Sequence, residues 1–514
     1  MKTFIRLLIA IAAVSQCFFL YLFVINNAPG LSSAMLVAAI AVVFGIIFVS
    51  ASYSILRATT DRDRADEGST FVVRLLLPLL CGLLLWVFLD STVTDYYQPL
   101  SLYDEAIIAL AVSWGSLILA LLVTALFASS FSLGLLRSSL ALALIAILGW
   151  PLAASLAFIN QPVFGEALED VQHLFVGGHG GYDIYRIPAL LNLPAGSVLA
   201  SGRSLKTDRL LAFAEARRDG SLDTGVIDLV LRHSDNAGVS WSEQRVVCRH
   251  QKNTDRGKCG NATPLYDTQT GNVLLAYNLS GINSDEHDGV FHSAEIMLSP
   301  DAGSSWKDAV QVANDNFVLG PGHGIQKQFA PNKGRLLLPG YVKSSAQVLY
   351  SDDNGLSWQR SAAADTGNET ELAELPGGAI YMTTRHRAPI GRPPRPNGRL
   401  FSISTDGGVN WNKTELDKAL ATPVCQATVL LYEQKLLLFA NPSHPRSRVN
   451  LEVKLSKDDG KSWQQRIPVH SGPSGYSQLA QDSDANIFVL FESGIMAYSE
   501  KITLARIPPE AINL

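Results

Sequence analysis

Ser234-Asp-Asn-Ala-Gly-Val-Ser-Trp241, Ser299-Pro-Asp-Ala-Gly-Ser-Ser-Trp306, Ser351-Asp-Asp-Asn-Gly-Leu-Ser-Trp358, Ser404-Thr-Asp-Gly-Gly-Val-Asn-Trp411 and Ser456-Lys-Asp-Asp-Gly-Lys-Ser-Trp463 are five versions of one phrase, Ser-x-Asp-x-Gly-x-x-Trp. Their tryptophans fall 65, 52, 53 and 52 residues apart, and recurrence at a nearly fixed period marks a repeat architecture. Asp and Ser side chains satisfy turn backbone, Gly supplies a positive φ, and Trp packs the turn onto its own strand pair. Each copy therefore reads as one hairpin of one blade. The phrase is structural, and its repetition alone nominates no catalytic residue.

Around the phrases, from about Gly165 to Leu514, short β-type runs alternate with turns rich in Gly, Asn, Asp and Pro. Val198–Ser201, Asp228–Arg232, Val273–Tyr277, Leu336–Pro339, Leu436–Phe439 and Ile487–Phe491 are examples. About 350 residues at this period give six blades, so the expected fold of 165–514 is an all-β six-bladed β-propeller whose closing blade is built from both ends. Five evenly spaced hairpin phrases fit radial repetition better than a sandwich.

The first 160 residues have a different composition. They hold seven Lys/Arg and eight Asp/Glu, leaving 34 of 41 basic and 38 of 46 acidic residues to the rest. Apolar runs at about 4–25, 34–56, 71–89, 106–131 and 139–159 are each long enough to cross a membrane as helix, giving an expected α-helical transmembrane domain over 1–160. Lys2, Arg6, Arg57, Arg62, Arg64, Arg74 and Arg137 all fall on one side of that five-span arrangement. The positive-inside bias then places the N-terminus in the cytoplasm and the C-terminal domain outside, as a multi-pass protein of the cell membrane. No span carries an acid–base pattern that argues for transport. Neither part carries net positive charge, which argues against a nucleic-acid partner.

Of five cysteines, only Cys248 and Cys259 are close enough in sequence to raise a disulfide, which an extracytoplasmic location permits. The ten histidines show no metal-ligand spacing, and Gly177-Gly-His-Gly-Gly181 lacks the spacing of a phosphate loop. No cofactor is implied.

A propeller brings residues from distant blades to one axis, so those that break the periodicity are the candidates for function. Arg186, Glu215, Arg217, Arg385, Arg448 and Glu492 are charged residues set in apolar strand contexts. A buried charge is costly unless paired, and several arginines on different blades point to one site for an anionic ligand.

The phrase Tyr185-Arg-Ile-Pro188, the five repeats and the segment Leu211-Ala-Phe-Ala-Glu-Ala-Arg217 together resemble the exo-α-sialidases (neuraminidases) over roughly residues 170 to 505. The membrane spans lie outside that resemblance. It implies a propeller acting on sialylated glycans or glycolipids, with Arg186, Arg385 and Arg448 holding the sugar carboxylate as bidentate, permanently charged forks. It further implies Glu492 as the acid orienting Arg186, Arg217 and Asn261 as pocket residues, and Glu286 and Tyr341 at the rim. Asp223 matches the acid/base, with Asp219 as runner-up and Asp228 a structural strand residue. Tyr476 matches the nucleophile and Glu369 the base beside it. A phenol needs such a partner, and unlike a carboxylate it is not repelled by the substrate's own carboxylate.

At Lys343 animal relatives can carry an aromatic, which leaves recognition of the sugar's glycerol chain open. Arg392-Pro-Pro-Arg-Pro-Asn-Gly-Arg399 reads as a rim loop. The expected function is retaining hydrolysis of terminal sialic acid. The rivals are a glycosidase for another nonulosonic acid and a non-catalytic sialoside-binding propeller on the membrane. Protein partners are not legible.

Overall fold

The computed structural model describes residues 168 and 170–512, apart from 219, 221–222, 224, 251–257, 281–292, 387–397, 445–447 and 495–496. The five apolar runs, Glu286 and Asp219 lie outside the described residues. Among the described residues no helix is long and apolar enough to cross a membrane.

The described region is all-β and antiparallel. Three sheets have four strands, one has five and one has seven. The seven-stranded sheet is two blades sharing a 17-residue strand, Gln465–Gln481. Its first part pairs with Val449–Ser456, and its second with Ile487–Ser493. That gives six groups of strands, called blades 1 to 6 in chain order, whose innermost strands are Ile184–Leu193, Lys258–Asp267, Val318–Leu319 with Ile325–Gln326, Thr370–Glu374, Thr428–Tyr432 and the second part of Gln465–Gln481, and these touch in cyclic order. The arrangement is consistent with a propeller. Asp170–Val176 pairs with Lys501–Ile507, so the last blade is closed by the first described strand, as the sequence led us to expect. Val198–Ser201 departs from expectation, forming only one isolated bridge, Val198 to Ser204.

Each repeat phrase closes on itself by the same bonds. In the third copy the Ser351 hydroxyl donates to Asp353 at 2.7 Å, the Gly355 amide donates to Ser351 at 2.8 Å, and the Ser357 amide donates to Asp353 at 2.9 Å. Gly355 sits at φ 84°, where a Cβ would be strained. The first copy has Asn236 where the others have Asp, and its amide oxygen accepts the same two bonds. The feature needed is a short side-chain acceptor rather than a charge.

The tryptophans do more than cover their own hairpins. Trp306 packs on a core drawn from blades 1 and 2, Trp358 on blades 2 and 3, Trp411 on blades 3 and 4, and Trp463 on blades 4 and 5. Trp241 packs where blade 6 meets blade 1. Each wedges against the preceding blade, so one residue both ends a hairpin and seals a blade contact. The core between blades 5 and 6 holds no tryptophan and uses Ile512 near the end of the chain. Arginines bind the repeats across the same seams: Arg335 pairs with Asp352 of its own blade at 2.7 Å and donates to the Gly407 carbonyl of the next at 3.0 Å.

Candidate active site

The innermost strands break register at one end of the axis, and the breaks coincide with the predicted site residues. The first interrupts pairing between Arg186 and Ala189, the second between Gly260 and Thr263, and the last between Ser474 and Ser477. Pro188 explains the first locally, because it has no amide to give the ladder and is tolerated at a bulge. Ile187 is left at φ 55° and Asn261 at φ 54°. A β-branched residue in the left-handed region persists only where its surroundings hold it there. Bulges re-aim side chains, here Arg186, Asn261 and Tyr476, toward the axis.

Glu492 holds the first break. It is fully buried, accepts from Arg186 Nε at 2.7 Å and the Ile187 amide at 2.9 Å through one oxygen, and from the Tyr476 amide at 3.0 Å through the other. One carboxylate thus fixes an arginine of blade 1 and the backbone of Tyr476 on blade 6.

Glu369 and Arg385 face each other where the first two strands of blade 4 end, joined by a backbone bond of 2.9 Å. One Arg385 nitrogen donates to Glu369 at 2.8 Å and to the Tyr476 hydroxyl at 2.9 Å. The Tyr476 hydroxyl in turn donates to the other Glu369 oxygen. Burial and then the Glu369 charge hold the Tyr476 phenol well above its usual pKa, against the pull of Arg385 and Arg448. The phenol is therefore protonated, with its proton already directed at a carboxylate. Burial works against the charge of Arg385, but Glu369 and Tyr476 outweigh it and raise its pKa.

On blades 1 and 2, Glu215 bonds Arg217 at 2.6 Å and accepts from the Asn261 amide at 3.0 Å. The Asn261 side chain donates to the Leu319 carbonyl at 3.1 Å, which bridges blades 2 and 3. Asp223 reaches in from the loop after Arg217 and pairs with it at 2.8 Å, its side chain 43% exposed. Burial opposes its charge, but Arg217 and then Arg186 prevail and bring its pKa to about 2. Asp228 is buried in its strand, accepting from Tyr182 at 2.6 Å and the His250 amide at 2.7 Å, a structural part. Tyr341 stands half-buried in blade 3, and Lys343 is the exposed corner of a two-residue hairpin.

Arg448 is fully buried and donates to the Val424 carbonyl at 3.0 Å, while its Nε and one terminal nitrogen have no acceptor among the described residues. The Nε of Arg385 likewise has no acceptor among the described residues. Unsatisfied buried guanidinium donors on two blades at one axial end form a receptor for an anion, and guanidinium geometry matches a carboxylate.

The sequence reading passed over several residues here. Glu215 was singled out by its context but given no task. Arg399 was placed in a rim loop, yet it opens the strand Arg399–Ser404 and is fully buried, donating to the Cys425 carbonyl at 2.8 Å and Thr383 at 3.0 Å. Two residues beyond Glu369, on the strand Thr370–Glu374, Glu371 is fully buried against His323 at 3.0 Å, and burial raises its pKa. Tyr498 has its ring over two of the site arginines. Cys248 and Cys259 form a disulfide with Cα atoms 6.1 Å apart, at the start of the strand that carries Asn261.

Comparison with known proteins follows the same outline. The BNR repeat-like domain family matches residues 208–489. A sialidase of Micromonospora viridifaciens is 27% identical over 384 residues, covering 69% of this chain and 57% of its own length. The chain therefore spans little more than half of that relative. Sialidase-3 of Rattus norvegicus is 27% identical over 400 residues, covering 62% of this chain and 89% of its own. Among solved structures, a Hadza microbial sialidase superposes with a TM-score of 0.56 at 22% identity, covering 67% of this chain and 69% of its own.

Proposed function

The chain belongs to the BNR repeat-like domain family, and from that premise we propose that it is an exo-α-sialidase, a six-bladed propeller that removes terminal sialic acid with retention of configuration. The observation that carries the reading is the Tyr476 hydroxyl donating to Glu369 while Arg385 donates to both. A buried phenol offered to a carboxylate, beside arginines with unused donors, is a nucleophile set next to a carboxylate receptor.

In the first step the sugar carboxylate lies against Arg186, Arg385 and Arg448. The Tyr476 oxygen bonds to the anomeric carbon as its proton passes to Glu369, and the glycosidic bond breaks as Asp223 protonates the departing oxygen. In the second step the Asp223 carboxylate takes a proton from water, which attacks the same carbon. Tyr476 leaves and recovers its proton from Glu369. Two inversions give net retention, and general acid–base assistance of this kind contributes about 10²–10⁴-fold. Arg217, Asn261 and Tyr341 are the sugar-side residues of this scheme, and the sequence resemblance adds Glu286 to them.

The proposal extends to location: a multi-pass cell-membrane protein, N-terminus cytoplasmic, with 165–514 extracytoplasmic and acting on sialylated glycans or glycolipids. The apolar runs with their one-sided basic residues support it, and so does the Cys248–Cys259 disulfide. A glycosidase for another nonulosonic acid would keep the same carboxylate site, and the exposed Lys343 corner favours asking.

The test is turnover of a fluorogenic N-acetylneuraminic acid glycoside by the purified protein beside Tyr476→Phe and Asp223→Ala, with proton NMR of the first-released anomer. Turnover by the parent, losses of a hundredfold or more in both variants and initial release of the α anomer are expected. A folded parent that leaves this glycoside intact sinks the substrate assignment, and initial release of the β anomer sinks the tyrosine mechanism.

A further inference from the structure

The three arginines proposed to take the carboxylate are held in different ways. Arg186 has Glu492 at 2.7 Å and Arg385 has Glu369 at 2.8 Å. Arg448 has no carboxylate partner among the described residues. It is fully buried, and among the described residues its guanidinium donates only to the Val424 carbonyl. A buried guanidinium with a single neutral acceptor is poorly positioned and poorly compensated, since burial of charge is costly without partners.

Two aromatic rings stand where the missing acid would be. The Arg448 guanidinium carbon lies 4.7 Å from the ring centre of Tyr498 and 5.3 Å from that of Tyr476. The Arg186 guanidinium carbon lies 5.2 Å and 5.5 Å from the same two rings. These separations fall inside the range in which an aromatic face attracts a cation. A second observation fixes the Tyr498 ring itself: a Cβ on Gly475 would stand 2.9 Å from Tyr498 Cδ2 and 2.1 Å from Glu492. The absent side chain lets the ring lie against the backbone immediately before Tyr476.

We propose that Tyr498 is a positioning residue of the carboxylate site, its ring face serving in place of a counterion to hold Arg448, and secondarily Arg186, ready for the ligand. A neutral π face suits this place better than a third acid. It steadies the cation and leaves its charge and spare donors available, whereas a carboxylate would occupy them and repel the ligand's own carboxylate. The inference rests on the sialidase reading of the site.

The ligand carboxylate is present in both ground and transition states, so loss of the ring weakens binding more than chemistry. The experiment uses the full chain with Tyr498→Leu and Tyr498→Phe, measuring KM and kcat on the fluorogenic glycoside. Calorimetric binding of free N-acetylneuraminic acid is measured alongside. Tyr498→Leu should raise KM and weaken binding roughly three- to thirtyfold with kcat within about threefold. Tyr498→Phe, which keeps the ring, should restore both. Unchanged KM and binding in Tyr498→Leu overturns the inference, as does a phenylalanine variant as weak as leucine. A parent that neither turns over nor binds the sugar refutes the sialidase reading instead, and the two failures are separate.

Discussion

Replacing Glu492 by Gln keeps the volume of the side chain and removes its charge. The carboxylate is fully buried and accepts at close range from Arg186, Ile187 and Tyr476, using both oxygens. An amide has one acceptor end and one donor end, so in either orientation a buried N–H faces an NH₂. Arg186 is also left buried without its acid. Removing one member of a buried ion pair costs about 3–5 kcal/mol. The Asp223 field remains near Arg186 and argues for the lower end of that range. With an unfolding entropy of about 2.1 cal/mol/K per residue, a domain of about 350 residues shifts by roughly 1.4 °C per kcal/mol, so Tm should fall by about 4–6 °C. The assay is thermal melting followed by near-ultraviolet circular dichroism, for the parent, Glu492→Gln, Arg186→Met and the double variant. The double variant should melt above Glu492→Gln, because it leaves no orphaned charge, and that non-additivity is the signature of the pair. A Glu492→Gln variant melting within about 2 °C of the parent, or strict additivity, would refute the reasoning.

Trp306→Ala should destabilise by about 2–4 kcal/mol, because it opens the seam between blades 1 and 2 where the indole meets Phe213 edge-on. Activity measured well below the lowered Tm should be nearly normal, and lost activity in a folded variant would contradict a purely structural repeat. Gly322→Ala should yield little folded protein, since its Cβ would stand 1.3 Å from a Glu371 oxygen at φ 151°. Recovery of parent-like soluble yield and Tm would show that the axis accommodates the methyl group.

The repeat phrase was legible because it is local: eight residues contain both halves of each bond that closes the turn. The candidate residues were legible for the opposite reason. Arg186, Arg217, Arg385, Arg448 and Glu492 stood out as charges in apolar strands, and the fold gathers four arginines and their partners at one axial end. What the sequence concealed depends on register. That Ile187 leaves the strand and offers its amide to Glu492 follows from a bulge 305 residues away in sequence from its partner. The placing of each tryptophan against the preceding blade is likewise invisible in a pattern that looks identical in every copy. Arg399 was misread because a Pro- and Arg-rich run continues up to it, and that composition does not announce the strand Arg399–Ser404 that it opens. Tyr498 sits in no phrase, and its setting against Gly475 is purely three-dimensional.

The acids that hold the arginines also set the charge of the site, and that has a consequence for pH. Arg186, Arg217, Arg385 and Arg448 are offset by Glu215, Glu369, Glu492 and Asp223, so the empty site is close to neutral. A bound carboxylate adds one uncompensated negative charge. Asp223 is the acid best placed to relieve it, being partly exposed and held near a pKa of about 2 by Arg217 and Arg186 over the opposing effect of burial. Once the ligand carboxylate draws on the charge of Arg186, the pKa of Asp223 must rise, and binding takes up a proton. The sign follows: affinity strengthens as pH falls from above the raised bound value toward the free value of about 2, and is flat well above both. In the proposed mechanism the same proton is the one Asp223 gives to the leaving oxygen, so on that reading substrate binding itself arms the acid. Calorimetry of N-acetylneuraminic acid binding in buffers of different ionisation enthalpy should register proton uptake that grows as pH falls toward the free value of about 2, and Asp223→Asn should abolish it. Equal uptake in the asparagine variant would assign the proton to another group and remove Asp223 from the mechanism's first step.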